Sequence, residues 1–156
     1  MIESGEWNLN LKLVHQSGSV DFEKLKQKYN DVKNVELLEY IYDMPKYYAW
    51  ADLVVCRGGA STIAELAAFG VVPIIVPLPA ADNHQEKNAE SLVKIEAGIM
   101  ILQNDFTKER LISEVKKLRE NPELLKKMST SLKNFFQPKA SENIASDIIS
   151  RMRNET

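Results

Sequence analysis

An apolar run, two glycines and a helical pattern follow one another in residues 51–66, ADLVVCRGGASTIAEL. The β-rich run 53–56 predicts a strand, and apolar side chains spaced three and four residues apart over 61–69 predict a helix. Glycines between the two allow close backbone approach, and a helix start favours a negatively charged group. The unit therefore predicts a parallel α/β fold with a ligand site after the strand.

The same alternation of strand and helix extends over most of the chain. Further strands are predicted at 11–15, 35–38, 72–76 and 99–102, and helices at 21–29, 45–51 and 83–97. Beyond residue 105 the pattern predicts three helices, beginning at Thr107, after Pro122 and at Ala140. We therefore expect residues 1–156 to form a single Rossmann-like domain, a mostly parallel sheet with helices on both faces, ending in several C-terminal helices.

Composition excludes several classes of function. Lys and Arg number 20 against 22 Asp and Glu, so the net charge of −2 argues against a nucleic-acid partner. Cys56, the single cysteine, indicates a reducing cytoplasm, and its apolar strand predicts a buried, inert thiol. No apolar run approaches the roughly 18 residues of a membrane span. No cluster of ligand-type residues predicts a metal site.

The first residues, MIESGEW at 1–7, read like the end of a helix that runs into the first visible strand. In open sheets of this type a strand usually precedes the first helix, and its loop often carries phosphate-binding glycines. No G-x-G-x-x-G motif is present. We expect the first strand and its Gly-rich loop to be missing upstream.

Two predicted strand-to-helix loops carry the polar candidates. Ser61, Thr62 and Glu65 share one face of a first helical turn, where the carboxylate can accept two vicinal ribose hydroxyls. Thr62 and Glu65 equally match a capping box, in which each side chain satisfies the helix end. Spacing alone leaves both interpretations open.

The loop after the fourth predicted strand has the same ambiguity. His84, Gln85 and Asn88 offer polar groups to a cleft, whereas Asn83 and Glu86 match a helix cap. Elsewhere, the pattern favours packing roles at the core or its rim for Tyr47, Tyr48 and Trp50. A core hydrogen bond explains His15 as well as a role as a base or a metal ligand does.

Residues 51–66 and the segment PLPAADNHQEKNA at 77–89 together closely resemble the MurG family. These enzymes are the UDP-N-acetylglucosamine:lipid-linked N-acetylmuramoyl-pentapeptide N-acetylglucosaminyltransferases of peptidoglycan synthesis. HQSG at 15–18 and IYDM at 41–44 are similar to further family segments in the same order. The resemblance spans nearly the whole chain and corresponds to roughly the C-terminal half of the family protein. It implies the C-terminal domain of a GT-B glycosyltransferase.

The resemblance implies that this half holds the donor UDP-N-acetylglucosamine. An N-terminal acceptor-binding domain, absent here, would hold the lipid-linked acceptor, and the whole enzyme would convert lipid I to lipid II with inversion at the anomeric carbon. The resemblance implies that the whole enzyme lies on the cytoplasmic face of the cell membrane and that it uses no cofactor. The chain alone is expected to be inactive, and it offers no catalytic residue.

The resemblance also assigns substrate-binding roles. The backbone at Ile41 would read the uracil edge, and Glu65 would hold the ribose hydroxyls. The phosphate and sugar would meet the helix start at Ala60, Ser61 and Thr62. The sugar hydroxyls would be contacted by His84 and Gln85, with support from Asn88 in the next turn. The family commonly has Gln where this chain has His84, so that contact departs from the pattern.

Two other functions fit parts of the pattern. One is a stand-alone donor-binding subunit of a split N-acetylglucosaminyltransferase, which would join a separate membrane-anchored acceptor subunit. The other is a sugar-nucleotide epimerase of similar architecture.

We also expect the apolar side chains of Ile144, Ile148 and Ile149 on the last helix to be exposed.

Overall fold

The computed structural model describes residues 11–80 and 82–154, except for the side chains of Ser141, Arg153 and Asn154. The interpretation of residues 1–7, and with it the expectation of a missing first strand, lies outside the described residues. The described residues include five strands: β1 Leu13–Gln16, β2 Val35–Leu38, β3 Leu53–Cys56, β4 Val72–Ile75 and β5 Ile99–Met100. Four helices alternate with them: α1 Gly18–Tyr29, α2 Met44–Trp50, α3 Ala60–Phe69 and α4 His84–Lys94.

The C-terminal part is helical, as predicted. A short 3-10 turn, Gln103–Asp105, precedes α5 Lys108–Glu120, α6 Pro122–Phe135 and α7 Ala140–Asn154. The starts of α5 and α6 follow from capping side chains, because Thr107 accepts from the Arg110 N–H and Asn121 accepts from the Leu124 N–H.

Within the described residues the strands form two parallel sheets, whereas we expected one. β1 pairs with β2, Leu13 opposite Val35. β4 lies between β3 and β5, with Leu53 opposite Val72 and Ile74 opposite Ile99. All ladders are parallel, so the carboxyl ends of the strands within each sheet meet at one edge.

The core belongs mainly to the three-stranded sheet. Leu66 of α3, Ile75 of β4, Leu92 of α4 and Leu132 of α6 are fully buried in one cluster. In contrast, α1 contains no buried residue, and every residue of β1 and β2 keeps some exposure. The β1–α1–β2 unit is therefore the less buried part of the molecule.

Several predicted boundaries were wrong. β1 starts at Leu13 because its ladder with β2 begins there. The start of α1 at Gly18 was not predicted because the first turn is polar and lacks the apolar spacing. Helix α4 ends at Lys94, three residues before the predicted end. Glu96 adopts a φ of 54°, and the Ala97 N–H bonds back to the Leu92 carbonyl, which closes the helix.

Candidate functional site

Two loops at the carboxyl edge of the three-stranded sheet are joined by side chains of α4. The Gln85 side-chain oxygen accepts from the Gly58 N–H at 3.2 Å and from the Leu78 N–H at 3.0 Å. The Asn88 Nδ2 donates to the Gly58 carbonyl at 3.0 Å. Gly58 is therefore held on both of its backbone polar groups, and the loops after β3 and β4 form one surface.

The start of α3 borders this surface. Its N-cap is Gly59, and the first intrahelical bond runs from the Ile63 N–H to the Gly59 carbonyl at 3.0 Å. The N–H groups of Ala60, Ser61 and Thr62 therefore have no acceptor within the helix. Ala60 and Ser61 are exposed, so these donors and the positive helix end can meet a negatively charged group.

The alternative of a capping box at Thr62 and Glu65 is wrong. Thr62 lies inside the first turn of α3, and in the described chain no side chain caps this helix end. Glu65 is exposed, and its side chain does not cap this helix end. Its carboxylate is left available beside the α3 start.

The first turn of α4 is arranged in a similar way. Asn83 occupies the N-cap in the left-handed conformation with a φ of 50°, and among the described residues no side chain bonds to this helix end. The cap predicted from Asn83 and Glu86 is therefore absent. The His84 Nδ1 lies 2.7 Å from the Asp82 Oδ1, and this hydrogen bond lowers the pKa of the Asp82 carboxyl. Both side chains are exposed, so Asp82 orients an imidazole at the rim.

Ile41 lies in the loop between β2 and α2, beyond the carboxyl edge of the two-stranded sheet. Its side chain is buried, and its N–H donates to the Gln16 side-chain oxygen at 2.9 Å. The carbonyl accepts no backbone hydrogen bond from the described residues. A nucleobase at this position could thus donate a hydrogen bond to the Ile41 carbonyl, whereas the Ile41 N–H is already bonded to Gln16. The rings of Tyr40 and Tyr42 beside it are exposed and meet edge to face at 4.9 Å.

Two residues that hold the site were not predicted as such: Gln16 and Arg57. Arg57 Nη1 donates to the Val76 carbonyl at 2.9 Å and to the Gln103 side-chain oxygen at 2.7 Å, which fastens the end of β3 to the end of β4. Both Gln16 and Arg57 stand at the end of a strand beside a polar loop, which was the available signal.

The other candidates have structural roles. Cys56 is only partly buried, whereas full burial was predicted. Desolvation nevertheless raises the pKa of its thiol to about 12, which favours an inert thiol. His15 Nδ1 lies 2.9 Å from the Tyr29 hydroxyl, and burial lowers the pKa of its imidazole. Tyr48 is buried, and Trp50 lies at the rim with 49% exposure.

Three general features of the described part lie apart from the candidate site. It contains no group of three or more His, Cys, Asp or Glu side chains that could hold a metal ion. A surface depression opens at the amino ends of β1 and β2, lined by Leu13, Val35 and Trp50 among others, and it includes none of the predicted site residues. In the described helices no segment is both long enough and apolar enough to cross a membrane.

Comparison with known proteins relates the chain to glycosyltransferases. It is 56% identical over 150 residues to the UDP-N-acetylglucosamine--N-acetylmuramyl-(pentapeptide) pyrophosphoryl-undecaprenol N-acetylglucosamine transferase of Bdellovibrio bacteriovorus, covering 96% of this chain and 42% of that protein. The enzyme of the same name from Francisella philomiragia is 41% identical, with 92% and 40% covered. The chain thus spans less than half the length of these relatives.

A solved structure agrees. The crystal structure of Acinetobacter baumannii MurG superposes with a TM-score of 0.77 at 35% identity, over 92% of this chain and 42% of that one. The architecture is accordingly that of a GT-B glycosyltransferase domain, with parallel sheets and helices. The model of the glycosyltransferase family 28 C-terminal domain matches residues 2–144. The chain therefore belongs to the glycosyltransferase family 28 C-terminal domain family.

Proposed function

We propose that this chain is the donor-binding half of an inverting N-acetylglucosaminyltransferase and that it binds UDP-N-acetylglucosamine. The observation that carries the proposal is the attachment of Gly58 to Gln85 and Asn88, which joins the two loops of the candidate site into one surface. Relatives at 56% and 41% identity bear the name of such a transferase.

Each part of the donor has a complementary group on this surface. The unpaired N–H groups at the start of α3 would take the diphosphate, and they would stabilise the charge that develops on it as UDP departs. The Glu65 carboxylate would accept the ribose hydroxyls, and the open Ile41 carbonyl would accept a hydrogen bond from the uracil edge.

The sugar would lie against the first turn of α4. His84, oriented by Asp82, would contact the sugar hydroxyls, and Gln85 would do so through its Nε2, since its oxygen is used by Gly58 and Leu78. Asn88 would act indirectly by holding Gly58.

The reaction needs groups from outside these residues. The chain spans about two fifths of its relatives' length. We infer that an N-terminal acceptor domain binds lipid-linked N-acetylmuramoyl-pentapeptide at the cytoplasmic face of the membrane. The base that deprotonates the acceptor hydroxyl would come from that domain.

The 156-residue chain alone is expected to transfer no N-acetylglucosamine, and detectable transfer in a radiolabelled lipid I assay would contradict this.

A titration of the isotope-labelled chain with UDP-N-acetylglucosamine, UDP-glucose and UDP tests donor binding. We expect amide shifts confined to 39–45, 58–66 and 82–89, larger for UDP-N-acetylglucosamine than for UDP-glucose. Glu65→Gln should weaken UDP binding about tenfold, because a charge-assisted hydrogen bond is lost. Glu109→Gln, which changes an exposed carboxylate in the first turn of α5, is the matched control. The absence of shifts at millimolar ligand would contradict the proposal.

A further inference from the structure

Asp82 and His84 form a hydrogen-bonded pair at the start of α4. The His84 Nδ1 lies 2.7 Å from the Asp82 Oδ1, across Asn83, whose φ of 50° is one that few residues other than glycine and asparagine adopt. The side chain of His84 is 59% exposed and that of Asp82 69%. The pair therefore lies at the rim of the candidate site, where a ligand can reach the imidazole.

The hydrogen bond determines which nitrogen of the ring carries the proton. An ionised carboxylate can only accept, and the bond to His84 keeps Asp82 ionised by lowering the pKa of its carboxyl. The Nδ1 of His84 must therefore be the donor. A neutral imidazole has one N–H, so its other nitrogen, Nε2, is left as an acceptor. This Nε2 has no hydrogen-bond partner among the described residues.

The neighbouring side chain has the opposite polarity. The Gln85 Oε1 accepts from the backbone N–H groups of Gly58 and Leu78, so the group left for a ligand is its Nε2, which donates. The first turn of α4 thus presents an acceptor at His84 and a donor at Gln85. Two neighbouring hydroxyls of a sugar can satisfy both groups, one by donating and the other by accepting.

We propose that Asp82 is a positioning residue that fixes the tautomer of His84, so that the His84 Nε2 accepts a hydrogen bond from a hydroxyl of the donor sugar. The inference rests on the proposed function, because it assigns His84 to the sugar. It goes further by naming which partner donates and by giving a role to Asp82, which need not touch the ligand. Without this carboxylate the proton can move to Nε2, and the acceptor is lost in those molecules.

The imidazole nitrogens report the tautomer directly, since a protonated and a bare ring nitrogen differ widely in NMR chemical shift. Spectra of the chain with isotope-labelled histidine are recorded at about pH 8, where histidine is neutral. The sequence has two histidines, and His84→Ala identifies the signals of His84. We expect a protonated Nδ1 and a bare Nε2 in the unchanged chain, and a mixture of the two tautomers in Asp82→Ala.

The ratio of the affinities for UDP-N-acetylglucosamine and UDP isolates the contribution of the sugar. Calorimetry measures this ratio for the unchanged chain, Asp82→Ala, His84→Ala and the double variant. His84→Ala should lower it about three- to tenfold, as expected for one hydrogen bond between neutral groups, and Asp82→Ala by at least about twofold and at most as much. The double variant should lower it no further than His84→Ala does, because Asp82 acts through His84.

Glu86→Ala is the matched control. It removes a carboxylate of the same helical turn that is not bonded to His84, and it should leave the ratio unchanged. Asp82 and His84 are both exposed, so their substitution should not unfold the chain, and circular dichroism checks this.

The outcomes are distinguishable. A proton on Nε2 in the unchanged chain at this pH, in the other tautomer or in an imidazolium, would overturn the positioning role. Losses that add up in the double variant would also overturn it, because Asp82 would then act independently of His84. If UDP binds and His84→Ala leaves the ratio unchanged, the sugar contact is wrong and the role fails, while nucleotide binding stands. If neither nucleotide binds, the proposed function fails, and the sugar contact fails with it.

Discussion

At the scale of single residues, Gly58 is the position where the site tolerates least change. It is buried, both of its backbone polar groups are bonded to α4 side chains, and a Cβ added there would lie 2.5 Å from the Gln85 carbonyl oxygen. No ordinary Cβ contact is this short, so either the loop or the first turn of α4 would have to move.

Gly58→Ala should therefore destabilise the chain by about 1–3 kcal/mol, the usual cost of overpacking, and should also weaken UDP-N-acetylglucosamine binding. Urea unfolding followed by circular dichroism, together with the titration, measures both effects. Gly59→Ala is the matched control, because its φ of −68° suits alanine and the nearest atom, Thr62 Oγ1, lies at an ordinary 3.5 Å. Equal effects of the two substitutions would contradict the close approach at Gly58.

Cys56 gives a prediction about reactivity. Because burial raises its pKa to about 12, only about one thiol in ten thousand is ionised at pH 8. Iodoacetamide should modify the folded chain at least about a hundredfold more slowly than the chain in guanidinium, where the thiol pKa is about 8.5. Mass spectrometry follows the modification without ambiguity, since the sequence has one cysteine. Similar rates in both states would show that the folded surroundings of Cys56 do not raise its pKa.

The same shift has a consequence for stability. The folded pKa lies above the unfolded one, so the unfolded chain loses the proton first as the pH rises. The contribution of Cys56 is fully present below about pH 8.5 and is lost progressively as the pH rises towards 12. Cys56→Ser removes this ionisation and should flatten that part of the stability profile.

At the scale of helices and strands, periodicity predicted the elements but not their ends. In the part of the chain that the structure describes, the five strands and seven α-helices lie where the apolar patterns place them. The errors occur where local chemistry overrides the pattern, as at Glu96, whose left-handed backbone ends α4 while the apolar spacing continues. The 3-10 turn at 103–105 was missed because it has no apolar face.

The candidate site was predicted only in part, for a related reason. The loops that hold it follow from the rule that ligands bind beyond the carboxyl ends of parallel strands. The sequence does not show which side-chain atoms are already engaged in hydrogen bonds within the protein. The bonds of Gln85 to Gly58 and Leu78 are an example, because they join segments that are distant in sequence.

Helix α7 is the element that contributes least to the folded domain. All of its described side chains are exposed, and the expected exposure of its isoleucines is confirmed at 61% for Ile144, 52% for Ile148 and 50% for Ile149. A chain that ends at Gln137 should therefore keep its free energy of unfolding to within about 1 kcal/mol, because surface changes have small effects.

A second truncation serves as the control. A chain that ends at Glu120 also loses Met128 and Leu132 of α6, which are buried in the two core clusters. Loss of two such side chains costs more than about 4 kcal/mol, and we expect this chain to unfold. Urea unfolding compares the three chains. A large loss of stability on ending the chain at Gln137 would show that α7 packs against the domain.

At the scale of the whole molecule, burial differs between the two sheets. The residues of β4 are fully buried, whereas β1, α1 and β2 contain no buried residue. Amide hydrogen exchange should therefore require global unfolding at Ile74 and Ile75 and only local opening at Val14 and Leu37, with opening constants that differ by at least about a hundredfold. Exchange measured by NMR tests this, and equal protection in both sheets would contradict it.

The division of the strands into two sheets has a consequence for ligand binding. Ile41 follows β2, whereas Glu65 and His84 lie on α3 and α4, which pack with the three-stranded sheet. A nucleotide that touched all three residues would therefore connect two units of unequal stability. Its apparent affinity would be reduced by the fraction of molecules in which the β1–α1–β2 unit is open. Substitutions that loosen this unit, far from any ligand atom, would then weaken nucleotide binding, and saturating nucleotide would in turn slow hydrogen exchange along β1.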